Sequence, residues 1–159
     1  MDFKEPITIK GKEKIDQELE QLIKVDREDI KQKIQEAREL GDLKENAEYH
    51  SAKEKQALIE GRIGYLQGIV SNCNVIDPKE VSEKSKIVFG ATVTLYDESK
   101  ESEVKYMIVG HEESDNREGK ISYKSPLGKA LIGKEEGDSV VVQAPKGELE
   151  YEVVSIEYK

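Results

Sequence analysis

Between Lys12 and Leu40 the chain contains neither Gly nor Pro. Apolar residues recur there at Ile15, Leu19, Leu22 and Ile23, then at Ile30, Ile34 and Ala37. These are steps of three and four, broken by a polar stretch at Asp26–Asp29, and they predict a helix. After Gly41–Asn46 the pattern resumes at Ala52, Gln56, Ile59, Ile63, Leu66, Val70 and Cys73. Steps of four and three alternate without a break, which is the seam of a coiled coil, with Cys73 expected on it as a small buried apolar group. The connection is short, so the two helices should run antiparallel and bury each other's stripes. At about 1.5 Å per residue each arm should extend roughly 40 Å, with the turn at its far tip. Gly61, Gly64 and Gly68 fall inside the second arm and should weaken it by up to about 1 kcal/mol each relative to Ala.

Beyond Asn74–Pro78 the period changes from helical to two. Residues 77–86 are polar, contain Pro78 and read as a linker. Val- and Ile-rich alternation then predicts strands at Lys86–Phe89, Ala91–Tyr96, Glu103–Val109, Lys120–Tyr123, Ser139–Gln143 and Leu149–Glu157. The last two are joined in hairpin fashion by Pro145-Lys146-Gly147. One short helix is expected over residues 125–133, with Ser125 as its cap and Pro126 in its first position. The expected fold class is therefore α+β: a helical hairpin over residues 1–76, a linker over 77–86 and a small antiparallel domain over 87–159.

Composition narrows what such a molecule can do. Apolar residues make up 36% of the 159 and charged residues 37%, which suits an elongated, water-exposed element better than one compact globule. The formal net charge is −9. Residues 1–76 carry 13 basic and 16 acidic side chains, and the remainder 12 and 18. Neither part is basic, so stable binding to free nucleic acid or to an anionic membrane is not expected. A protein partner remains open. The single cysteine excludes an internal disulfide and fits a reducing compartment. The opening Met1-Asp2-Phe3-Lys4-Glu5-Pro6 has no apolar core for a signal peptide, and no stretch approaches membrane-spanning length, so a cytoplasmic location is expected.

The candidate chemistry sits at the hairpin turn. Asp42 and Glu45 are three apart, and on a helix they would share one face. Such a pair could hold a weakly bound Mg²⁺, a hard cation that keeps most of its waters and takes one or two carboxylates. The same spacing is equally a capping box, Asp42 accepting backbone N–H groups while Glu45 reaches back. Acidic residues are favoured at a helix start in any case. Spacing alone leaves both open.

The run Gly41-Asp42-Leu43-Lys44-Glu45-Asn46-Ala47-Glu48-Tyr49-His50, preceded by Glu36-Ala37-Arg38-Glu39, closely resembles the tip signature of the GreA/GreB transcript-cleavage factors. Further segments are similar to that family along the whole chain: Ile7–Gly11, Glu60–Ile63, Val75–Asp77, Phe89–Val93, Ser125–Leu127 and Leu131–Asp138. The resemblance implies a coiled coil that enters the secondary channel of bacterial RNA polymerase. It also implies an FKBP-like C-terminal domain that docks near the channel mouth. The chain would not be an enzyme itself; it would stimulate the polymerase's own cleavage of backtracked RNA. By the same resemblance Asp42 and Glu45 are the essential acidic pair, helping to hold Mg²⁺ and the attacking water. Asn46, Tyr49 and Ser51 would shape the tip, Arg38 and Lys53 would lie toward the RNA 3′ end, and Ser125 and Pro126 would meet the partner. This chain departs from the family at Val25–Asp29, which is more acidic and lacks a common proline, and at Leu40, where a His is frequent. The acidic balance fits the GreA branch of the family.

Other candidates have plainer readings. His50 and His111 lack zinc-ligand spacing and read as a tip surface residue and a loop residue. No phosphate-binding or dinucleotide-binding glycine pattern occurs. Ser125 has no partnering His nearby and reads as a helix start. Two competing functions are set against this reading. A prolyl isomerase would need an aromatic-lined pocket, and the C-terminal half offers no Trp and Phe89 alone among phenylalanines. A channel-binding inhibitor would slow elongation without cleavage, and retention of Asp42 and Glu45 argues against it.

Overall fold

The computed structural model describes residues 4–42 and 44–159. Its elements are β1 (Glu5–Thr8), α1 (Ile9–Gln21), a π-helical turn (Leu22–Asp26), α2 (Arg27–Glu39), α3 (Ala47–Ser71) and β2 (Cys73–Ile76). There follow β3 (Thr92–Asp97), β4 (Ser102–Val109), β5 (Lys120–Ser122), α4 (Pro126–Leu131), β6 (Ser139–Ala144) and β7 (Gly147–Glu157). The fold is α+β. By contacts it divides into two compact units, Lys12–Asn72 and the chain up to Gly11 together with Cys73–Lys159. That division differs from the one expected at residue 76, because β1 and β2 pair with each other and cluster with the C-terminal sheet.

The first unit is the hairpin. Ile30, Ile34, Ala52, Ile59 and Ile63 form its buried core, flanked by Leu19, Leu22, Ile23 and Tyr49. Two bidentate ion pairs fix the register of the arms. Arg27 grips Glu60 at 2.7 and 2.9 Å, and Arg62 grips Glu18 at 2.9–3.2 Å. Arg27 pairs with Glu60 while Ala37 meets Asn46, so the arms run antiparallel. The π turn has a cause in the sequence. Ala37 lies 22 positions after Ile15, whereas three heptads span about 21. One residue is in excess, and a wider turn absorbs it so that both ends of the stripe stay buried.

The second unit is built on a five-stranded sheet of order β5-β4-β3-β7-β6, antiparallel except for the β4–β5 pair. Alternate residues of β3 (Val93, Leu95) join Ile108, Leu131, Val140, Val142, Tyr151 and Val153 in one core. A separate parallel pair, β1–β2, sets Glu5 opposite Cys73 and Thr8 opposite Ile76. The carboxylate of Glu113 ties β1 to the loop after β4: it accepts from the Thr8 N–H (3.1 Å), the Gly110 N–H (2.8 Å) and the Thr8 hydroxyl.

Two expectations change, and two strands are new. The helical seam stops at Ser71, and Cys73 opens β2 in a half-buried position. A strand at Lys86–Phe89 does not form. Ile87 is fully buried, but its peptide groups bond to Lys134 and Gly133 beyond α4, and the chain turns at Gly90 (φ +92°). Strands β1 and β2 were not expected at all. Within the described residues, no helix is long and apolar enough to cross a membrane.

Candidate functional site

At the tip, α2 ends with Leu40 N–H on the Ala37 carbonyl (3.1 Å), and the chain reverses through Gly41 at φ +127°, a conformation natural to glycine. Asp42 Oδ1 then accepts the Lys44 N–H at 3.0 Å, closing an Asx turn. Helix α3 begins only at Ala47, and its cap is Asn46. The Asn46 side chain accepts from the Tyr49 N–H (3.0 Å) and donates to the Ala37 carbonyl (2.6 Å), so one carboxamide closes α3 and ties it to α2.

Of the readings left open for Asp42 and Glu45, the capping box is therefore not formed, and the two carboxylates do not share a helix face. Both lie in the exposed loop before the helix. The physical reason lies in the chemistry of Asn46. An amide can accept and donate at once, whereas a carboxylate can only accept.

Of the other predicted tip residues, the structure brings Arg38 and Tyr49 together, the guanidinium 5.9 Å from the ring centroid. Tyr49 is half-buried against the hairpin core and meets His50 edge-on, with centroids 5.7 Å apart. Ser51 is exposed and lines a shallow groove of about 490 Å³ between α2 and α3 with Lys33, Lys55 and Glu48. Lys53 is not drawn into this cluster; its ammonium bonds to Gln56 at 3.2 Å. Sequence reasoning placed His50 on the tip surface but missed its bond, the Nε2 lying 3.1 Å from the Lys44 carbonyl oxygen. It also missed the Asn46 bridge. The signal available was Asn46 itself, a favoured cap residue directly before a run of helix formers.

Ser125 and Pro126 lie in the other unit. Ser125 caps α4, accepting the Gly128 N–H (3.0 Å) and donating to the Ser122 carbonyl (2.6 Å), with Pro126 exposed in the first helical position. Both hydrogen-bonding roles of the hydroxyl are filled, which supports its reading as a helix start. Beside it, Glu5 accepts from Lys124 Nζ (2.8 Å) and from the Tyr123 hydroxyl. These bonds, Lys124 first, hold the Glu5 carboxyl below the usual glutamate range, while burial pushes the Tyr123 phenol up.

Asp42 and Glu45 could contribute oxygens to a divalent cation but not a full ligand set. Asp42 keeps Oδ2 beside its engaged Oδ1, and Glu45 makes no hydrogen bond among the described residues. No group of three or more His, Cys, Asp or Glu side chains that could hold a metal occurs among them either. Two hard, exposed oxygen donors fit Mg²⁺ as an incomplete set that something else must complete.

Comparisons with known proteins agree on one family. The family description "Transcription elongation factor, N-terminal" matches residues 5–75, and "Transcription elongation factor, GreA/GreB, C-term" matches residues 82–158. A protein of Alkalilimnicola ehrlichii named transcription elongation factor GreA is 55% identical over 155 residues, 98% of each chain. One of the same name from Halorhodospira halophila is 54% identical over 97% of this chain and 98% of its own. Among solved structures, GreA factor homolog 1 of Thermus thermophilus is 30% identical over 98% of this chain and 99% of that one, with a TM-score of 0.45.

Proposed function

This chain belongs to the GreA/GreB transcription elongation factor family, and we propose that it binds bacterial RNA polymerase and stimulates the polymerase's own cleavage of backtracked RNA. The hairpin enters the secondary channel and carries Asp42 and Glu45 to the RNA 3′ end, while Ser125 and Pro126 belong to the surface that docks outside. The observation that carries this reading is the state of the tip carboxylates. They are exposed on a loop whose flanking backbone is fastened by Asn46, and most of their oxygens are uncommitted among the described residues.

A bound Mg²⁺ would supply charge stabilisation and a more acidic water. The residues of this chain contribute the rest of what is asked of the tip: Asp42 Oδ2 and the Glu45 oxygens would add carboxylate ligands to a set completed in the complex, and Arg38 adds a positive charge over the Tyr49 ring. Two exposed carboxylates are not by themselves a site for RNA hydrolysis, so the chemistry should occur only in the complex. That division of labour makes the protein a stimulating factor, not an enzyme.

Stalled elongation complexes with backtracked RNA test it over a Mg²⁺ titration. Asp42→Ala and Glu45→Ala should each lower stimulated cleavage by about a hundredfold or more, as expected for loss of a metal-positioning group. Both should still compete with the wild type for polymerase. Cleavage at the wild-type rate by either variant sinks the proposed chemistry, and slower elongation without cleavage by the wild type would favour a channel-binding inhibitor.

A further inference from the structure

We propose that His50 is a positioning residue, which aims the two tip carboxylates by holding the peptide between them. The proposal rests on the functional reading above and deepens it. Lys44 is the hinge of the argument. Its N–H is held by Asp42 Oδ1 at 3.0 Å, and its carbonyl oxygen lies 3.1 Å from His50 Nε2. The first bond sets the direction of the Asp42 carboxylate. The second fixes the peptide plane that leads directly into Glu45, and so sets the direction from which the Glu45 side chain departs. Lys44 thus couples both carboxylates through the two peptide groups that meet at its Cα, and the outer anchor is an imidazole.

His50 is itself well fixed for an exposed residue. Its backbone N–H bonds to the Asn46 carbonyl at 3.1 Å in the first turn of α3. Its ring packs edge-on against Tyr49 at an interplanar angle of 67°. Tyr49 in turn rests on the hairpin core and carries the Arg38 guanidinium on its face. Rigidity therefore passes from the core through Tyr49 and His50 to the Lys44 carbonyl. A carbonyl only accepts, so the ring must carry its hydrogen on Nε2; the neutral Nε2–H tautomer and the imidazolium both satisfy this. Elsewhere the loop is permissive, with Gly41 in a left-handed conformation and Leu40 exposed. Among the described residues, the His50 bond is the side-chain tie from α3 to the stretch between the carboxylates. Misplacing catalytic groups by about 1 Å can cost up to about a hundredfold in rate, so such a tie has leverage on function without touching substrate.

Two substitutions separate the parts of the residue. His50→Phe keeps a ring against Tyr49 and removes the donor. His50→Gln keeps an N–H donor near the Nε2 position and removes the ring. In the free protein, backbone order parameters from NMR relaxation for residues 42–45 should fall in His50→Phe and be restored in His50→Gln. In stalled complexes, His50→Phe should lower the maximal cleavage rate by about tenfold with the half-saturating factor concentration unchanged, and His50→Gln should recover most of it. Unchanged loop order in His50→Phe overturns the proposal. So does a defect confined to the half-saturating concentration, which would make His50 a docking contact. Failure of His50→Gln to the same extent as His50→Phe overturns it too, by assigning the imidazole a chemical part. If the wild type stimulates no cleavage, the functional reading fails while the order parameters still decide the positioning claim.

Discussion

The two segments carrying candidate contact residues use the same local device in opposite surroundings. Asn46 and Ser125 both cap a helix by accepting the N–H three residues on, and both donate backward to a carbonyl at 2.6 Å. Around Ser125 the chain is packed: Gly128 and Leu131 are buried, and Leu131 sits in the sheet core. Ahead of Asn46 the chain is open, with Gly41, Asp42, Lys44 and Glu45 all exposed. A shared capping motif thus serves integration in one place and display in the other. Packing decides the stability of the first segment, and a few hydrogen bonds decide the geometry of the second.

The largest expected effect lies on the packed side. Leu131 is completely buried, so Leu131→Ala should cost about 2–5 kcal/mol in denaturant unfolding of the C-terminal sheet. Leu40, 69% exposed beside the tip, should lose less than about 0.5 kcal/mol on the same substitution. Gly128→Ala should be damaging as well. A Cβ there would stand 2.3 Å from the Ser122 carbonyl oxygen, a backbone atom that cannot swing aside. Comparable losses at Leu40 and Leu131 would erase the contrast.

The caps come next. Ser125→Ala and Asn46→Ala should each cost about 1 kcal/mol, typical of a lost helix cap. Asn46→Asp sharpens the point, because it keeps the acceptor for Tyr49 N–H and loses the donor to Ala37. If Asn46 matters mainly as a bridge between the arms, Asn46→Asp should disorder the tip almost as much as Asn46→Ala by amide exchange. Recovery of wild-type protection in Asn46→Asp would reduce Asn46 to an ordinary cap.

Most of the architecture was legible in the residues because period and burial are linked. Ile30, Ile34, Ile59 and Ile63 face one another as their spacing requires, and the alternation of β3 reproduces its burial. The π turn could be anticipated from the one-residue excess between Ile15 and Ala37. Strands β1 and β2 could not. Each is four residues long, and β1 joins directly onto α1, so neither shows a period of its own. They exist through a pairing across more than sixty positions and through Glu113, whose role has no local signature. At the tip the chemistry-bearing residues were readable, but their setting was not. Asp42-x-x-Glu45 and Asn46 competed for the same helix start, and the amide's second hydrogen bond, to Ala37, decided it.

A smaller effect concerns acid. Glu5 is the link from β1 to the Tyr123–Lys124 turn, and its carboxyl is held below the ordinary glutamate range. A depressed carboxyl stabilises the fold above its unfolded pKa and ceases to do so as the pH falls through the folded value. Lys124, raised by the same partner, keeps its contribution at neutral pH and loses it only at high alkaline pH. The pair should therefore weaken as the pH falls below the ordinary glutamate range and through the lower folded value. Its side chains are about half-exposed, so solvent screening keeps the effect small. Glu5→Gln should flatten that part of the stability profile; an unaltered acid slope would show that the bond is idle.

The smallest expected effect is the most diagnostic for the tip. Asp42 contributes one exposed turn bond, to the Lys44 N–H, and no buried surface, so Asp42→Ala should change hairpin stability by no more than about 0.5 kcal/mol. Thermal unfolding followed by circular dichroism measures this directly. If a side chain that costs almost nothing to remove from the free protein also proves needed for cleavage in the complex, it must act on something outside its own fold. Were Asp42→Ala to unfold the hairpin tip, its loss of activity would follow from structure alone. The open segment would then need the carboxylate for the same reason the packed one needs Leu131, and the distinction between display and integration would vanish.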